Sequence, residues 1–322
     1  MENVLVTGGA GYIGSHIVEK LIKRKKKVII VDNLSTGYKK LVNKKAKFYL
    51  CDIKNFNQID KIIKNNKVDS IMHLAAALSV GEGEKNPKKY ILNNIEGTKN
   101  VIKSSIKNKV KNFIFSSTCA VYKDKTKIVR ENSKLKPKSV YGKTKLVCEK
   151  IIKKKLSKNG INFAILRFFN VAGASESGKI GQISLGDQLF KNLSLASVKS
   201  KPKIQIYGSD YDTYDGTCIR DYIHVSDISK IHIEVLKKIK NKRRSVILNC
   251  GYGKGISVLE AVYAFQTQIK KKIKIEYKNR RKGDMEKIIA NNSKIKKFIK
   301  WSPSKNRLIK IVKSCIRWEK TR

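Results

Sequence analysis

Apolar residues in the first half of the chain fall into short unbroken runs separated by longer stretches with helical spacing. Val4-Leu5-Val6, Val28-Ile29-Ile30-Val31 and Phe113-Ile114-Phe115 carry no polar interruption, as strands covered on both faces require. The pattern predicts strands over 3–7, 28–31, 47–50, 70–74, 112–116 and 161–167, with helices near 15–26, 57–66, 88–108 and 139–158. Such alternation builds βαβ units, so the predicted class is α/β with a doubly wound, parallel, Rossmann-type sheet. Beyond Asn170 the pattern turns irregular and rich in Gly, Ser and Asp as far as Asp221. That change predicts a first domain over 1–169 and a smaller α/β C-terminal domain over 170–322, some segments of which return to the first. An apolar-periodic stretch from Trp301 to Trp318 predicts a closing helix.

Composition narrows the class without choosing a chemistry. Of 322 residues, 41% are hydrophobic and 30% charged, a globular balance. No apolar run reaches the roughly 18 residues that a membrane span needs. The first residues enter a strand rather than a basic and apolar leader, so the expectation is a cytoplasmic protein with no membrane partner. The six cysteines form no C-x-x-C pair, and no histidines accompany them at zinc spacing; they read as reduced core residues, not a metal site. A formal net charge of +47 would suit a nucleic-acid binder, yet the lysines are dispersed in short clusters amid many Ile and Asn. A/T-rich coding yields that trio, and a solvated surface explains the dispersal, so no nucleic-acid partner is expected. The same field draws in anionic small molecules with salt-dependent strength.

Chemistry begins at Thr7-Gly8-Gly9-Ala10-Gly11-Tyr12-Ile13-Gly14-Ser15-His16, which leaves the first predicted strand and opens the first helix. Gly8 permits the tight turn, Gly11 lets backbone approach a pyrophosphate, and Gly14 permits close helix–strand packing. The helix N-terminus adds N–H groups and a positive dipole end. Asp32 closes the second strand, where a carboxylate binds a ribose diol and repels a 2′-phosphate. With Tyr12, Ile13 and Asn33 beside it, this predicts NAD rather than NADP. Tyr141 and Lys145 lie four apart at the head of a predicted helix and share a face. Bringing a phenol from its usual pKa near 10 towards neutrality takes about 4 kcal/mol of preferential stabilisation of the phenolate. A nearby ammonium and a nicotinamide cation are expected to supply it.

The spacing of three from Gly8 to Gly11 resembles the short-chain dehydrogenase superfamily, and further segments extend the likeness. Asp52-Ile53 resembles its adenine-binding pair, His73-Leu74-Ala75-Ala76 its pyrophosphate-lining segment, and Asn93 its mid-helix cofactor contact. In Phe115-Ser116-Ser117-Thr118 the resemblance makes Thr118 the catalytic hydroxyl beside Tyr141 and Lys145, and places Ser116 at the cofactor. Related nucleotide-sugar 4,6-dehydratases carry an acidic residue directly after that Thr. Cys119 cannot play that part, which disfavours dehydration.

Three blocks are more specific: Arg167-Phe168-Phe169-Asn170-Val171-Ala172-Gly173-Ala174, the run from Asp212 to Val225, and Arg280-Arg281-Lys282-Gly283-Asp284. They resemble signatures of the UDP-glucose 4-epimerases, and the likeness extends over nearly the whole chain. It implies interconversion of UDP-glucose and UDP-galactose by transient oxidation at sugar carbon 4 with bound NAD, in a homodimer formed by the helices near 88–108 and 139–158. It assigns Phe169 to flank the nicotinamide and Asn170, Gln188 and Leu189 to the substrate. Arg220 and Arg281 fall on the diphosphate, Asp284 on the uridine ribose, and Gln205 and Tyr207 on the uracil. His224 is expected as a packed structural imidazole. Lys123 and Gln188 depart from the family's usual Gly and its usual Asn or His. Ile288, at the position governing room for a sugar N-acetyl group, is neither the bulky Tyr nor a small residue. UDP-N-acetylglucosamine and UDP-glucuronate therefore stay as alternative substrates. A catalytically silent NAD-binding scaffold is the other alternative, and the intact Thr118, Tyr141 and Lys145 speak against it.

Overall fold

The structure is a computed structural model that describes residues 2–123, 127–184, 186, 188–242, 245–281 and 284–322; Lys282 and Gly283 of the Arg280 block lie outside the described residues. In chain order the strands are β1 (Asn3–Thr7), β2 (Lys27–Asp32), β3 (Lys47–Leu50), β4 (Ser70–His73), β5 (Asn112–Thr118), β6 (Ile128–Val129), β7 (Asn162–Phe168) and β8 (Asn170–Ala172). There follow β9 (Lys203–Tyr207), β10 (Ile219–Arg220), β11 (Tyr222–His224), β12 (Val246–Cys250), β13 (Ile256–Ser257), β14 (Lys274–Lys278) and β15 (Lys287–Ala290). The α-helices are α1 (Tyr12–Lys23), α2 (Phe56–Asn65), α3 (Val80–Lys85), α4 (Pro87–Tyr90), α5 (Gly97–Lys107) and α6 (Val140–Lys158). The later ones are α7 (Leu189–Ser197), α8 (Val225–Lys242), α9 (Val258–Ile269), α10 (Ser293–Ile299) and α11 (Leu308–Thr321). No helix among the described residues is long and apolar enough to cross a membrane.

Two compact units share the chain. The first comprises Met1–Val121, Pro137–Arg167 and Ser229–Leu248, the second Tyr122–Lys136, Phe168–Ile228 and Asn249–Arg322. A seven-stranded sheet of order β12-β7-β5-β4-β1-β2-β3 forms the Rossmann-type core of the first. The strands β3-β2-β1-β4-β5 pair in parallel, with Val4 opposite Val28 on one side and Ser70 on the other. The chain therefore reverses its direction of travel between β1 and β4, and open α/β sheets bind ligands at the carboxyl ends of strands beside such a switch. Every residue of β4 and β5 is buried, both the apolar Ile71-Met72 and Phe113-Ile114-Phe115 and the polar residues that flank them. Ile59 and Ile63 of α2, Val101 of α5 and Ile152 and Leu156 of α6 close the core against Phe113 of β5.

The predicted strands and helices of this half are all present, with one difference in kind. The helix expected over 88–108 is broken, because α4 runs into a π-helical turn at Ile91–Glu96 before α5 begins. Within that turn Asn94 is buried; its side chain accepts from the Ala77 N–H (2.8 Å) and donates to the Ala77 carbonyl and the Thr144 hydroxyl. Single π turns of this kind commonly mark working parts of a helix.

In the second unit a four-stranded sheet of order β13-β10-β15-β6 stands with two parallel pairs, β11-β8 and β14-β9. Buried Asp221, directly after β10, accepts backbone N–H groups from Tyr252 (2.8 Å), Gly253 (2.8 Å) and Ala290 (3.2 Å). It thus fixes the strand that carries Arg220. Burial pushes its carboxyl up to about 6, against the pull of those three N–H groups. Lys191 of α7 pairs with Glu319 of α11, both side chains buried. His224 is packed as expected: its Nε2 meets the Ser314 hydroxyl (3.1 Å) and its Nδ1 accepts the Ser226 N–H (3.0 Å).

Four helices of the first unit end alike. After α1, α2, α5 and α6, residues Lys25, Lys67, Lys109 and Gly160 take φ of 56°, 44°, 53° and 65°. The next amide then reaches back to a carbonyl of the last turn: Lys26 to Leu21, Val68 to Ile63, Val110 to Ser105 and Ile161 to Leu156. Left-handed backbone costs an L-residue about 1–2 kcal/mol, whereas Gly loses up to about 1 kcal/mol through its freedom in the unfolded chain. Lys67→Gly and Lys109→Gly are each expected to stabilise the protein by about 0.5–1 kcal/mol in urea unfolding. Gly160→Lys, whose Cβ would meet nothing within 4 Å, is expected to destabilise it by a similar amount.

Candidate active site

The glycine turn sits where β1 ends and α1 starts. Gly8 has φ 73°, and a Cβ there would lie 2.8 Å from the Ala75 nitrogen, so the Leu74-Ala75-Ala76 segment after β4 runs against the turn. A Cβ on Gly14 would come within 2.1 Å of the Gly8 carbonyl oxygen. Gly11 is the N-cap of α1 and supplies no side-chain cap; Tyr12 and Ile13, both half-buried, follow it. Asp32 ends β2, buried, and accepts the N–H groups of Ala10 (3.0 Å) and Leu34 (2.9 Å). Burial holds its carboxyl above the usual range despite those two bonds. Asn33 donates to Asp52 (3.1 Å), which brings the ends of β2 and β3 together. The Ile53 side chain packs in the core against Gly97, and its carbonyl accepts from the Asn100 side chain (3.2 Å). Asn93 is half-buried and donates to the Asn94 side chain.

Whether these residues suit a dinucleotide can be judged from two features. The turn is close-packed backbone with no room for side chains at Gly8 or Gly14, and it leads into the N-terminus of a helix, whose free N–H groups suit a pyrophosphate. The Ser116 hydroxyl, at the carboxyl end of β5, is buried with no hydrogen-bond partner among the described residues. Both fit.

Tyr141 and Lys145 open α6, whose N-cap Ser139 accepts the Gly142 N–H (3.1 Å). Gly142 allows the close approach that the site needs, since a Cβ there would lie 2.5 Å from the Ala120 carbonyl oxygen. The Thr118 hydroxyl lies near enough to the Tyr141 phenol to pull its pKa down. Lys145, 3% exposed, donates to the Ser116 carbonyl at 2.9 Å, and its ammonium lies 6.0 Å from the centre of the Tyr141 ring. Burial brings the Lys145 pKa down to about 8, with Cys148 and Glu149 working in the opposite direction. Behind it, His73 is held by Thr7 (2.7 Å) and Thr98 (2.9 Å); burial first, then the charge of Lys145, bring it to about 3, so its ring is neutral.

One expectation requires correction. The Tyr141 phenol is not lowered by the polypeptide's own groups. Burial raises it above the ordinary phenol range, the Thr118 hydroxyl pulls it down, and Cys119 adds to the rise. The reason is geometric: the Lys145 ammonium is spent on a backbone carbonyl beneath the ring rather than aimed at the phenol oxygen.

In the second unit, five of the predicted residues come together. Arg281 lies over the Tyr207 ring (4.7 Å) and pairs with Asp284 (3.1 Å), while Arg220 lies 3.8 Å from the same carboxylate. The Tyr207 hydroxyl donates to Gln205 (3.1 Å). Among the described residues no hydrogen bond or ion pair joins Asn170, Gln188 or Leu189 to this cluster; Asn170 opens β8, and Gln188 and Leu189 open α7. Phe169 is buried, its N–H on the Cys250 carbonyl (3.3 Å). Ile288 is buried in β15 opposite Arg220. Sequence reasoning passed over Ser117, Glu149 and Arg167, which form a buried network under Lys145. A signal existed, since Glu149 is the one acid in the lysine-rich α6 and lies on the face of Tyr141 and Lys145.

Comparison with known proteins agrees with this arrangement. Residues 4–251 match the model of the "NAD dependent epimerase/dehydratase family". A UDP-glucose 4-epimerase of Lactobacillus helveticus is 37% identical over 320 residues, covering 99% of this chain and 97% of that protein. The crystal structure of a UDP-glucose 4-epimerase from Bifidobacterium longum, in complex with NAD+ and UDP, superposes with TM-score 0.94 at 32% identity, covering 99% of this chain and 98% of that one. A UDP-Glc/GlcNAc 4-epimerase from Campylobacter jejuni superposes with TM-score 0.86 at 38% identity, over all of both chains. With the family model spanning most of its length, the chain belongs to the NAD dependent epimerase/dehydratase family.

Proposed function

We propose that this chain interconverts UDP-glucose and UDP-galactose by transient oxidation at carbon 4 of the sugar, with NAD retained through the cycle. The reading rests on one observation above all: Tyr141 and Lys145 are held on neighbouring residues at the end of β5, in the unit that carries the glycine turn. When bound, NAD supplies a reversible two-electron acceptor and a cationic ring that favours the ionised phenol. Asp32 and Asn33 serve the adenosine ribose, and Asp52 and Ile53 the adenine. The Gly8–Gly14 turn and Leu74–Ala76 serve the pyrophosphate, Asn93 and Ser116 the nicotinamide half. Tyr141 takes the proton of the sugar 4-hydroxyl, the Thr118 hydroxyl bridging the two oxygens, while the Lys145 ammonium holds the head of the helix on the Ser116 carbonyl. The same phenol returns the proton in the second half of the cycle. Cys119 offers no acid to expel water, so the oxidised sugar is reduced rather than dehydrated.

The cluster of the second unit suits the nucleotide. Arg220 and Arg281 present planar donor forks to a diphosphate, Asp284 faces the uridine ribose, and Gln205 and Tyr207 meet the uracil. Asn170, Gln188 and Leu189 complete the substrate set. The likeness to the Campylobacter jejuni enzyme, named for both UDP-Glc and UDP-GlcNAc, supports a second reading in which N-acetylated sugars are also accepted. We further read the protein as a cytoplasmic homodimer: none of its six cysteines is in a disulfide, and Leu92 and Val147, on the helices implicated in pairing, are exposed.

Purified protein given UDP-galactose is expected to form UDP-glucose without added NAD, and a UDP-N-acetylglucosamine arm reads the second specificity. Tyr141→Phe should lower kcat by about 10²- to 10⁴-fold while UDP still binds. Activity needs the Lys145 ammonium, which exists below its pKa, so kcat should decline as pH rises through about 8. Arg281→Ala should weaken UDP binding by about tenfold in calorimetry, the loss of one charge-assisted contact.

A further inference from the structure

Tyr141, Lys145 and Glu149 form one stripe along α6, and each engages a different residue of the Ser116-Ser117-Thr118 run that ends β5. Tyr141 faces the Thr118 hydroxyl, Lys145 donates to the Ser116 carbonyl at 2.9 Å, and the Glu149 carboxylate accepts from the Ser117 hydroxyl at 2.6 Å. The first two rungs belong to the chemistry proposed above; the third is so far unassigned. Glu149 and Arg167 of β7 each have side chains only 1% exposed. Arg167 binds both carboxylate oxygens, Nε to one at 3.0 Å and Nη2 to the other at 2.7 Å. Stability alone is a weak reason for such a pair, because well-packed apolar replacements of similar volume are often as stable or more so. What the pair does here is grip Ser117, flanked on either side by a residue that α6 needs in the site.

We propose that Glu149, clamped by Arg167, is a positioning residue that locks Ser117 and so sets the register of α6 on the end of β5, in which Tyr141 meets Thr118 and Lys145 meets the Ser116 carbonyl. The inference rests on the reading of Tyr141 and Lys145 as the proton-transfer pair. Its leverage is geometric, since a displacement of about 1 Å at reacting groups can cost about 10²-fold in rate. The lock also carries charge. Around Tyr141 and Lys145 stand His73 on β4, Tyr90 on α4, Cys119 after β5, Cys148 and Glu149 on α6 and Arg167 on β7. His73 is neutral, so Cys148 and the Glu149 carboxylate are the groups that favour the ammonium of Lys145, and Arg167 pairs with Glu149.

Two variants of the full chain separate geometry from charge. Ser117→Ala removes the rung and leaves the ion pair intact. It is expected to lower kcat about tenfold or more, with KM for UDP-galactose within about twofold and the alkaline limb of the pH profile unmoved. Glu149→Gln keeps an acceptor for Ser117 but removes the carboxylate. It is expected to retain more of the rate than Ser117→Ala while moving the alkaline limb of kcat to lower pH, a shift that a merely structural residue would not produce. Hydrogen exchange of residues 116–120 and 141–145 gives a readout without turnover, expected to quicken in Ser117→Ala. Parent-like kcat and exchange in Ser117→Ala would overturn the proposal. So would a Glu149→Gln profile that keeps its shape. If the parent protein turns over no UDP-sugar, the functional reading fails, and the exchange measurement alone decides the lock.

Discussion

A lysine ammonium that water cannot reach must find its acceptors inside the protein, and much of the first unit follows from how Lys145 does so. Its bond runs to a backbone carbonyl, that of Ser116, rather than to a side chain. A backbone acceptor ties the first turns of α6 to the last residues of β5, and that contact in turn demands Gly142 against the Ala120 carbonyl. With helix and strand end so close, Tyr141 has little freedom and lies against Thr118. Loss of the Ser116 acceptor would strand a buried charge, which costs several kcal/mol.

The same constraint explains which parts of the molecule were legible in the sequence. Strands buried on both faces leave unbroken apolar runs, so β1, β4 and β5 could be read directly. The glycine turn could be read because Gly8 and Gly14 meet backbone that no side chain could share. Tyr141 and Lys145 gained meaning from helical spacing, and Arg220, Arg281 and Asp284 from blocks resembling a known family. The π turn at Ile91–Glu96 left no such mark, because it keeps helical spacing and only the tertiary bonds of Asn94 reveal it. Strand β12 was equally hidden: its few apolar residues, Val246, Ile247 and Leu248, follow a long helix with no preceding pattern to announce them. The partners of Glu149 were beyond reach for another reason. Arg167 and Ser117 lie on different strands, and local spacing cannot show that one carboxylate serves both.

The phenol presents the sharpest contrast between spacing and environment. A residue four positions from a lysine invites the inference that the ammonium lowers its pKa. Burial acts on both groups at once, however, and is the leading influence on each, raising the phenol and lowering the amine. The site is built so that neither group is ionised cheaply. That is a sensible arrangement for a base needed only when a cationic ring and a sugar hydroxyl are both at hand.

Composition, finally, separates what drift can alter from what the site forbids. The net charge of +47 sits where water can solvate it, and lysine has even taken left-handed helix ends at Lys25, Lys67 and Lys109 that glycine would occupy at lower cost. Inside, the rule is different. Lys145, Arg167 and Lys191 each face a defined acceptor, and Asp32, Glu149, Asp221 and Asp227 each face defined donors. Substitution towards lysine is tolerated outside because each exposed ammonium keeps its hydration. In α6 a single carboxylate, Glu149, stands in a helix otherwise rich in lysine. A cation at that position would leave Arg167 unpaired and the Ser117 hydroxyl without its acceptor, and the register of the proton-transfer pair would be lost with them.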